Sequence, residues 1–372
     1  MKITGVTTHV LVANDVNVGA TSSAQDAFVV ELQTDAGITG IGESDVNPWI
    51  ARACIEARGT HTMGQSLADM LIDANPLDPT ALWQRLYDGS AMNGRRGALI
   101  HALGAIDIAL WDIAGKAAGR PITDMLGGRR IADVPVYASE VMPETVDDVR
   151  RIAERAASDG YPALKLGWGP LGRDPDHDVA LVRAARETLG PARTLMLDGG
   201  RAYSVKSALQ LLQRIEEHDL YWFEEALAPD DLGGYRRLSD ATTVRIAAGE
   251  ADATLPPFRA LVEQGHVDVL QPDLARCGGF TVARQIALLE RSSAVQIVPH
   301  CFSTAVLVAA SLHFVATLDR PTWSEFSVAD STLVNGILRE PFRLQNGRLS
   351  VPTGPGLGIE LDDELIDRLR VS

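Results

Sequence analysis

Cysteine is scarce in this 372-residue chain: there are three, Cys54, Cys277 and Cys301, and no CxxC pair. That pattern argues against a disulfide framework and a zinc site, and suggests reduced thiols in a cytoplasmic protein. Aromatic residues make up only 5%, and the 34 Lys and Arg are outnumbered by 49 Asp and Glu. The formal net charge of −15 argues against nucleic acid and against anionic membranes as partners. It leaves room for an anionic small substrate, because a bound cation and a few local basic groups reverse the sign inside one pocket. The start, "MKITGVTTHVLV", lacks the basic opening and apolar run of a signal peptide and reads as a first strand. The most apolar helical stretch, "GALIHALGAIDIALWDIAG", is interrupted by His101, Asp107 and Asp112, so it reads as a core helix and not a membrane span. At 46% hydrophobic and 22% charged, the chain can bury a large core, either as two domains or as one α/β barrel with an added piece.

What is present is a repeat. From about residue 133, short apolar runs alternate with helical patterns: "VPVYAS" (134–139), "PALKLG" (162–167), "TLMLD" (194–198), "YWFEE" (221–225), "VRIAAGE" (244–250), "VDVLQPD" (267–273), "VQIVPH" (295–300) and "TWSEF" (322–326). Eight strands with helical crossovers predict a closed (β/α)8 barrel of the TIM type. The first 125 residues read differently, as antiparallel strands with a turn at Asp35-Ala36-Gly37 and helices through 80–118. The expected organisation is therefore an α+β capping domain (1–125), a barrel (126–335) and a segment (336–372) that packs back on the cap. No low-complexity stretch interrupts it.

In such a barrel the active site lies at the C-terminal ends of the strands. Three consecutive runs end in an acid there: Asp198, Glu224 and Glu250, spaced by 26 residues each time. Carboxylates converging from adjacent strands repel one another unless a cation sits among them, and an all-oxygen set suits Mg2+. Alternation along "YWFEE" puts Glu224 on the same side as Trp222, so Glu224 is the inward ligand and Glu225 a supporting or rim residue. Asp273 ends the sixth run and His300 the seventh. A carboxylate beside an imidazole fixes its tautomer and raises its basicity, which makes His300 a candidate general base. On the second strand Lys165 either meets an anion inside the barrel, near a substrate carboxylate or as a base, or snorkels outward.

These residues resemble the enolase superfamily, and within it the mandelate racemase subgroup. The stretches "AIDIALWDIAGKAAGRPITDMLGG" and "PTGPGLGIELDDE" look like the helix that enters the family's barrel and its C-terminal return segment. The resemblance implies Mg2+ on Asp198, Glu224 and Glu250, and a His300–Asp273 dyad. It also implies that Glu325, on the eighth strand, bonds a substrate carboxylate, with Arg276 beside the dyad. Three positions depart from the pattern. Lys-x-Lys on the second strand is here Lys165-Leu166-Gly167, a polar third-strand position is Gly200, and the proline after the paired glutamates is Ala226.

The family chemistry begins with removal of the proton α to a carboxylate. With one clear base, the expected reaction is dehydration of a sugar acid to a 2-keto-3-deoxy acid. A racemase or epimerase using His300 and Lys165 is the alternative, and a non-catalytic ligand-binding barrel is a reading of another class. Specificity is expected from two cap segments, 14–25 and 43–64, with Asn47 and Trp49 in the second, and from Trp168 and Arg201 on the barrel. The resemblance implies a homo-oligomer, between dimer and octamer.

Overall fold

The computed structural model describes residues 1–22 and 24–371. The cap opens with strands β1 (Ile3–Val12), β2 (Asp26–Thr34) and β3 (Thr39–Ser44), paired antiparallel. Gly37, at φ 73°, turns β2 into β3, and its amide bonds the Thr34 carbonyl at 3.1 Å. The 21-residue helix Ala98–Ala118 lies on this sheet. It approaches so closely that a Cβ on Gly42 would come within 2.9 Å of the Ala109 nitrogen, so glycine is required there. Among the described residues this is the one helix long and apolar enough to cross a membrane, and most of it is buried within the fold.

The barrel strands follow as β4 (Asp133–Val141), β5 (Ala163–Gly167), β6 (Thr194–Asp198), β7 (Leu220–Glu224), β8 (Arg245–Ala248), β9 (Val269–Leu270), β10 (Gln296–Ile297) and β11 (Ser324–Ser327). The parallel ladder runs in order from β10 back to β4, and β4 pairs with β11. The eight-stranded TIM-type architecture expected from the repeat is therefore present. Among the described residues no backbone ladder joins β10 to β11; there the Thr322 hydroxyl reaches the Ile297 carbonyl at 3.3 Å. The sixth and seventh strands are two residues each, shorter than the runs 267–273 and 295–300. The physical reason lies in Pro272 and Pro299, which have no N–H to give a ladder.

Side chains alternate along each strand, and the layer at the bottom of the barrel is apolar: Tyr137, Ala163, Met196, Trp222, Ala247, Val269 and Val298 pack as one cluster. Two residues further along these strands the interior becomes polar, at Ser139, Lys165, Asp198, Glu224 and His300. The crossover helices bury one face on the barrel, as Val149, Ala153 and Ala156 do on helix Val146–Ser158, which Thr145 caps. The C-terminal segment touches both units. Its β12 (Arg348–Ser350) pairs with β4, the Leu357 amide bonds Asp112 of the long cap helix at 2.8 Å, and β13 (Arg370–Val371) pairs with β1.

Candidate active site

A cavity of about 190 Å³ opens at the C-terminal ends of the strands. Asp198 ends β6 and Glu224 ends β7. Glu250 stands two residues past β8, beyond Gly249 at φ 129°. Oxygens of these three carboxylates lie within 4.8 Å of one another, and all three residues are buried. Burial, opposed by Lys165 and reinforced by neighbouring carboxylates, pushes Asp198 up to about 7 and Glu224 up to about 8. Glu250 is the exception: burial pushes it up, but His300, Arg276, Lys165 and Arg201 outweigh that and hold it at about 2. One of its oxygens, Oε2, faces His300 Nε2 at 3.2 Å without hydrogen-bonding alignment. A converging set of carboxylate oxygens with this much unrelieved charge fits a divalent cation.

Glu224 shares the interior with Trp222, whose indole nitrogen donates to it at 3.0 Å. Glu225 has φ 31° and turns to the rim. It accepts from the Arg201 Nε at 2.9 Å and from the Ala251 amide at 3.4 Å. Lys165 points inward, 2.7 Å from Glu224 and 2.9 Å from Glu325, so the snorkelling alternative does not apply. Burial alone lowers a lysine, but Glu224 and Glu325 override it and hold Lys165 protonated, well above its ordinary range. Glu325 accepts a further bond at 2.7 Å from the Cys301 amide, next to His300.

His300 is 2.7 Å from Asp273 through Nδ1. With Asp273 accepting there, Nε2 is the nitrogen that exchanges a proton toward the cavity. Burial lowers this imidazole, but Glu250 and Glu325 overcome it and raise it to about 10. Asp273 also caps helix Leu274–Cys277 through the Ala275 amide at 2.7 Å, so it orients the imidazole and starts a helix at once. Arg276 lies 3.3 Å from Glu250 and 3.7 Å from Asp273.

The mouth is lined by Thr21 and Ser22 of the cap and by Ser139, Glu140, Val141, Trp168, Arg201 and Phe302 of the barrel. Arg201 stacks over Trp168 at 5.0 Å from the ring centre. Asn47 and Trp49 do not line this cavity. Asn47 caps helix Pro48–Glu56 through the Ile50 amide, and Trp49 is about half exposed on the same helix. Thr21 and Ser22 fall inside the expected lid 14–25, of which Ser23 lies outside the described residues. Ser139 and Glu140, at the end of the first barrel strand, were legible by the rule that found the acids, but neither belongs to the three-acid spacing. Asp45 falls inside the expected specificity segment 43–64, where residue type alone does not single it out; it lies 2.5 Å from Arg276. No local periodicity signals that contact.

Two family models cover nearly all of the chain: the mandelate racemase / muconate lactonizing enzyme N-terminal domain at residues 2–127, and the enolase C-terminal domain-like model at 147–365. The chain belongs to the mandelate racemase / muconate lactonizing enzyme family of the enolase superfamily. It is an enzyme, and the relatives it matches are lyases and isomerases. It is 34% identical to a D-galactarolactone cycloisomerase of Agrobacterium fabrum, over 100% of this chain and 99% of that protein. It is 30% identical to an L-rhamnonate dehydratase of Saccharopolyspora erythraea, over 91% of this chain and 84% of the relative. Among solved structures, a mandelate racemase/muconate lactonizing protein of Paracoccus denitrificans complexed with magnesium matches with a TM-score of 0.88 and 28% identity, covering 99% of this chain and 96% of the other.

Proposed function

We propose that the chain is a Mg2+-dependent sugar-acid dehydratase that yields a 2-keto-3-deoxy acid. The observation that carries this reading is a site with a base on one side only. His300 Nε2 faces the cavity, while the position of a second base is Gly167, and there is no room for a side chain on it. A Cβ there would come within 2.7 Å of the Asp198 carbonyl oxygen and 2.9 Å of Asp198 Cγ. Elimination needs one base, whereas inversion at the α-carbon needs a group on each face. Lys165, paired with two carboxylates, suits binding a substrate carboxylate better than taking a proton. That weakens the epimerase alternative.

Asp198, Glu224 and Glu250 would hold the Mg2+, which when bound stabilises negative charge developing on the substrate carboxylate and offsets the acids that keep His300 protonated. Lys165 pairs with the same carboxylate, and Glu325 holds Lys165 in place. His300 Nε2 takes the α-proton, and Asp273 fixes the tautomer through Nδ1. The electron pair of the C–H bond forms the enediolate, and its collapse breaks the β C–O bond. His300 returns its proton to the departing hydroxyl when both lie on one face, releasing water, and the enol becomes the 2-keto acid. Trp168, Val141 and Phe302 narrow the mouth, and the Thr21 and Ser22 hydroxyls suit a polyol. The three free thiols support a cytoplasmic location. The family resemblance supports a homo-oligomer.

A second reading is an isomerase acting on a sugar-acid lactone with the same base; the cycloisomerase relative at 34% identity favours it. Incubating the protein with Mg2+, mono- and diacid sugars and their lactones in D2O separates the readings by NMR. A 2-keto-3-deoxy product supports dehydration. Conversion without loss of water supports the isomerase. Deuterium at the α-carbon with inversion would return Lys165 to the role of base.

A further inference from the structure

The cap reaches the two residues proposed as the catalytic dyad through the end of one strand. Glu43 lies near the end of β3 and Asp45 one residue past it, and both side chains reach the barrel, at Thr304 and at Arg276. Glu43 is fully buried. It accepts from the Thr304 amide at 3.0 Å, the Thr304 hydroxyl at 2.7 Å, the Leu307 amide at 2.8 Å and the Ser303 hydroxyl. These donors lie at the start of helix Ala305–Val315, the first of them three residues after His300, so Glu43 anchors the far end of the loop that bears the imidazole.

Asp45 acts on the other member of the pair. Its Oδ2 accepts from Arg276 Nε at 3.0 Å and from Nη2 at 2.5 Å. The same Arg276 Nε lies 3.7 Å from Asp273 Oδ2, the oxygen that bonds His300 Nδ1 at 2.7 Å. Arg276 thus stands between two carboxylates that compete for its Nε–H. Asp45 takes that donor, and Asp273 Oδ2 is left to the imidazole.

We propose that Asp45, supported by Glu43, is a positioning residue supplied by the cap. It diverts Arg276 from Asp273, so that docking of the cap sets the geometry of the His300–Asp273 pair. The inference rests on the reading of that pair as base and orienter. It adds that the cap contributes to the chemistry as well as to substrate choice.

The test compares wild type, Asp45→Asn and the double variant Asp45→Asn/Arg276→Gln, each with saturating Mg2+. The direct readout is the downfield His300 Nδ1–H resonance in histidine-15N-labelled protein. It should shift upfield or broaden away in Asp45→Asn and return in the double variant, where the competing donor is gone. Where turnover is measurable, kcat should fall about 10- to 100-fold in Asp45→Asn, with KM changed less, as for other residues that orient a reactive histidine. An unchanged resonance in Asp45→Asn overturns the proposal, and so does a double variant that stays as perturbed as the single one. A resonance that responds as expected, in a protein that turns over no sugar acid, leaves this proposal standing and removes the dehydratase reading. Asp45→Glu, which keeps the carboxylate, checks folding and should retain most of the wild-type signal.

Discussion

Asp198 lies over Gly167 across the β5–β6 pair, where the two residues are directly in register. The proposed metal ligand and the missing side chain therefore occupy one and the same space. Asp198 stands where a longer residue at 167 would have to go. Gly167→Lys should not create a racemase. It should displace Asp198 and weaken Mg2+ binding by about 10- to 100-fold, the size typical when the surroundings of a metal site are disturbed. Titration calorimetry with Mg2+ and chiral analysis of the recovered substrate check this. A variant that binds Mg2+ normally and inverts the α-carbon would overturn it.

His300→Asn keeps the shape of the side chain and removes the proton-accepting Nε2. Solvent deuterium incorporation and dehydration should both fall by about 10²- to 10⁴-fold, the contribution of a positioned acid–base group. Substrate affinity, measured by equilibrium binding with Mg2+ present, should stay within a few-fold. Exchange at the wild-type rate would show that another group takes the proton.

Lys165 is the shared cation of Glu224 and Glu325, and all three side chains are almost fully buried. Removing one partner of a buried ion pair leaves uncompensated charge, at a cost of about 3–5 kcal/mol. In EDTA, Lys165→Met should therefore melt well below wild type. Mg2+ should narrow the gap, because an ion bound among the carboxylates stabilises the folded state in proportion to its affinity. Thermal melts of both proteins with and without Mg2+ decide it, and a gap that Mg2+ leaves untouched would argue against Glu224 as a ligand.

Asp107, on the long cap helix, is fully buried and bonds the Thr281 amide at 2.8 Å and hydroxyl at 2.6 Å. Burial outweighs those bonds and pushes its carboxyl up to about 7. A carboxyl raised on folding contributes stability that is fully present below its unfolded value, near 4, and is lost as pH rises through about 7. Between those limits wild type should lose on the order of 4 kcal/mol relative to Asp107→Asn, whose amide does not titrate. Urea unfolding of both proteins from pH 4 to 8 measures the difference, and parallel curves would rule it out.

Much of the site was legible because strand residues alternate and barrel strands end at one rim. Those two regularities place Asp198, Glu224, Asp273 and His300 at the mouth from spacing alone. They also put Lys165 and Gly167 on one side of their strand, yet left open whether Lys165 turns in or out. The partners that decide it are Glu224, 59 residues away, and Glu325 on the eighth strand. Asn47 and Trp49 stood out by residue type within a loop. Residue type does not distinguish a helix cap from a pocket wall, and Asn47 caps a helix instead.

The sequence by itself determined the repeating βα architecture, the three-acid set and the imidazole–carboxylate pair, because each follows from short-range periodicity and strand-end chemistry. Only the tertiary structure decided which cap residues meet the barrel. Asp45 and Arg276 are separated by 231 residues, and Glu43 and Thr304 by 261. Contacts at that range depend on how a glycine-lined sheet seats against helix Ala98–Ala118, and on how the chain's last strand closes on its first. No periodicity in the sequence encodes that docking. It comes from the packing of whole elements, and it brings the cap's carboxylates to the loops that hold His300 and Asp273.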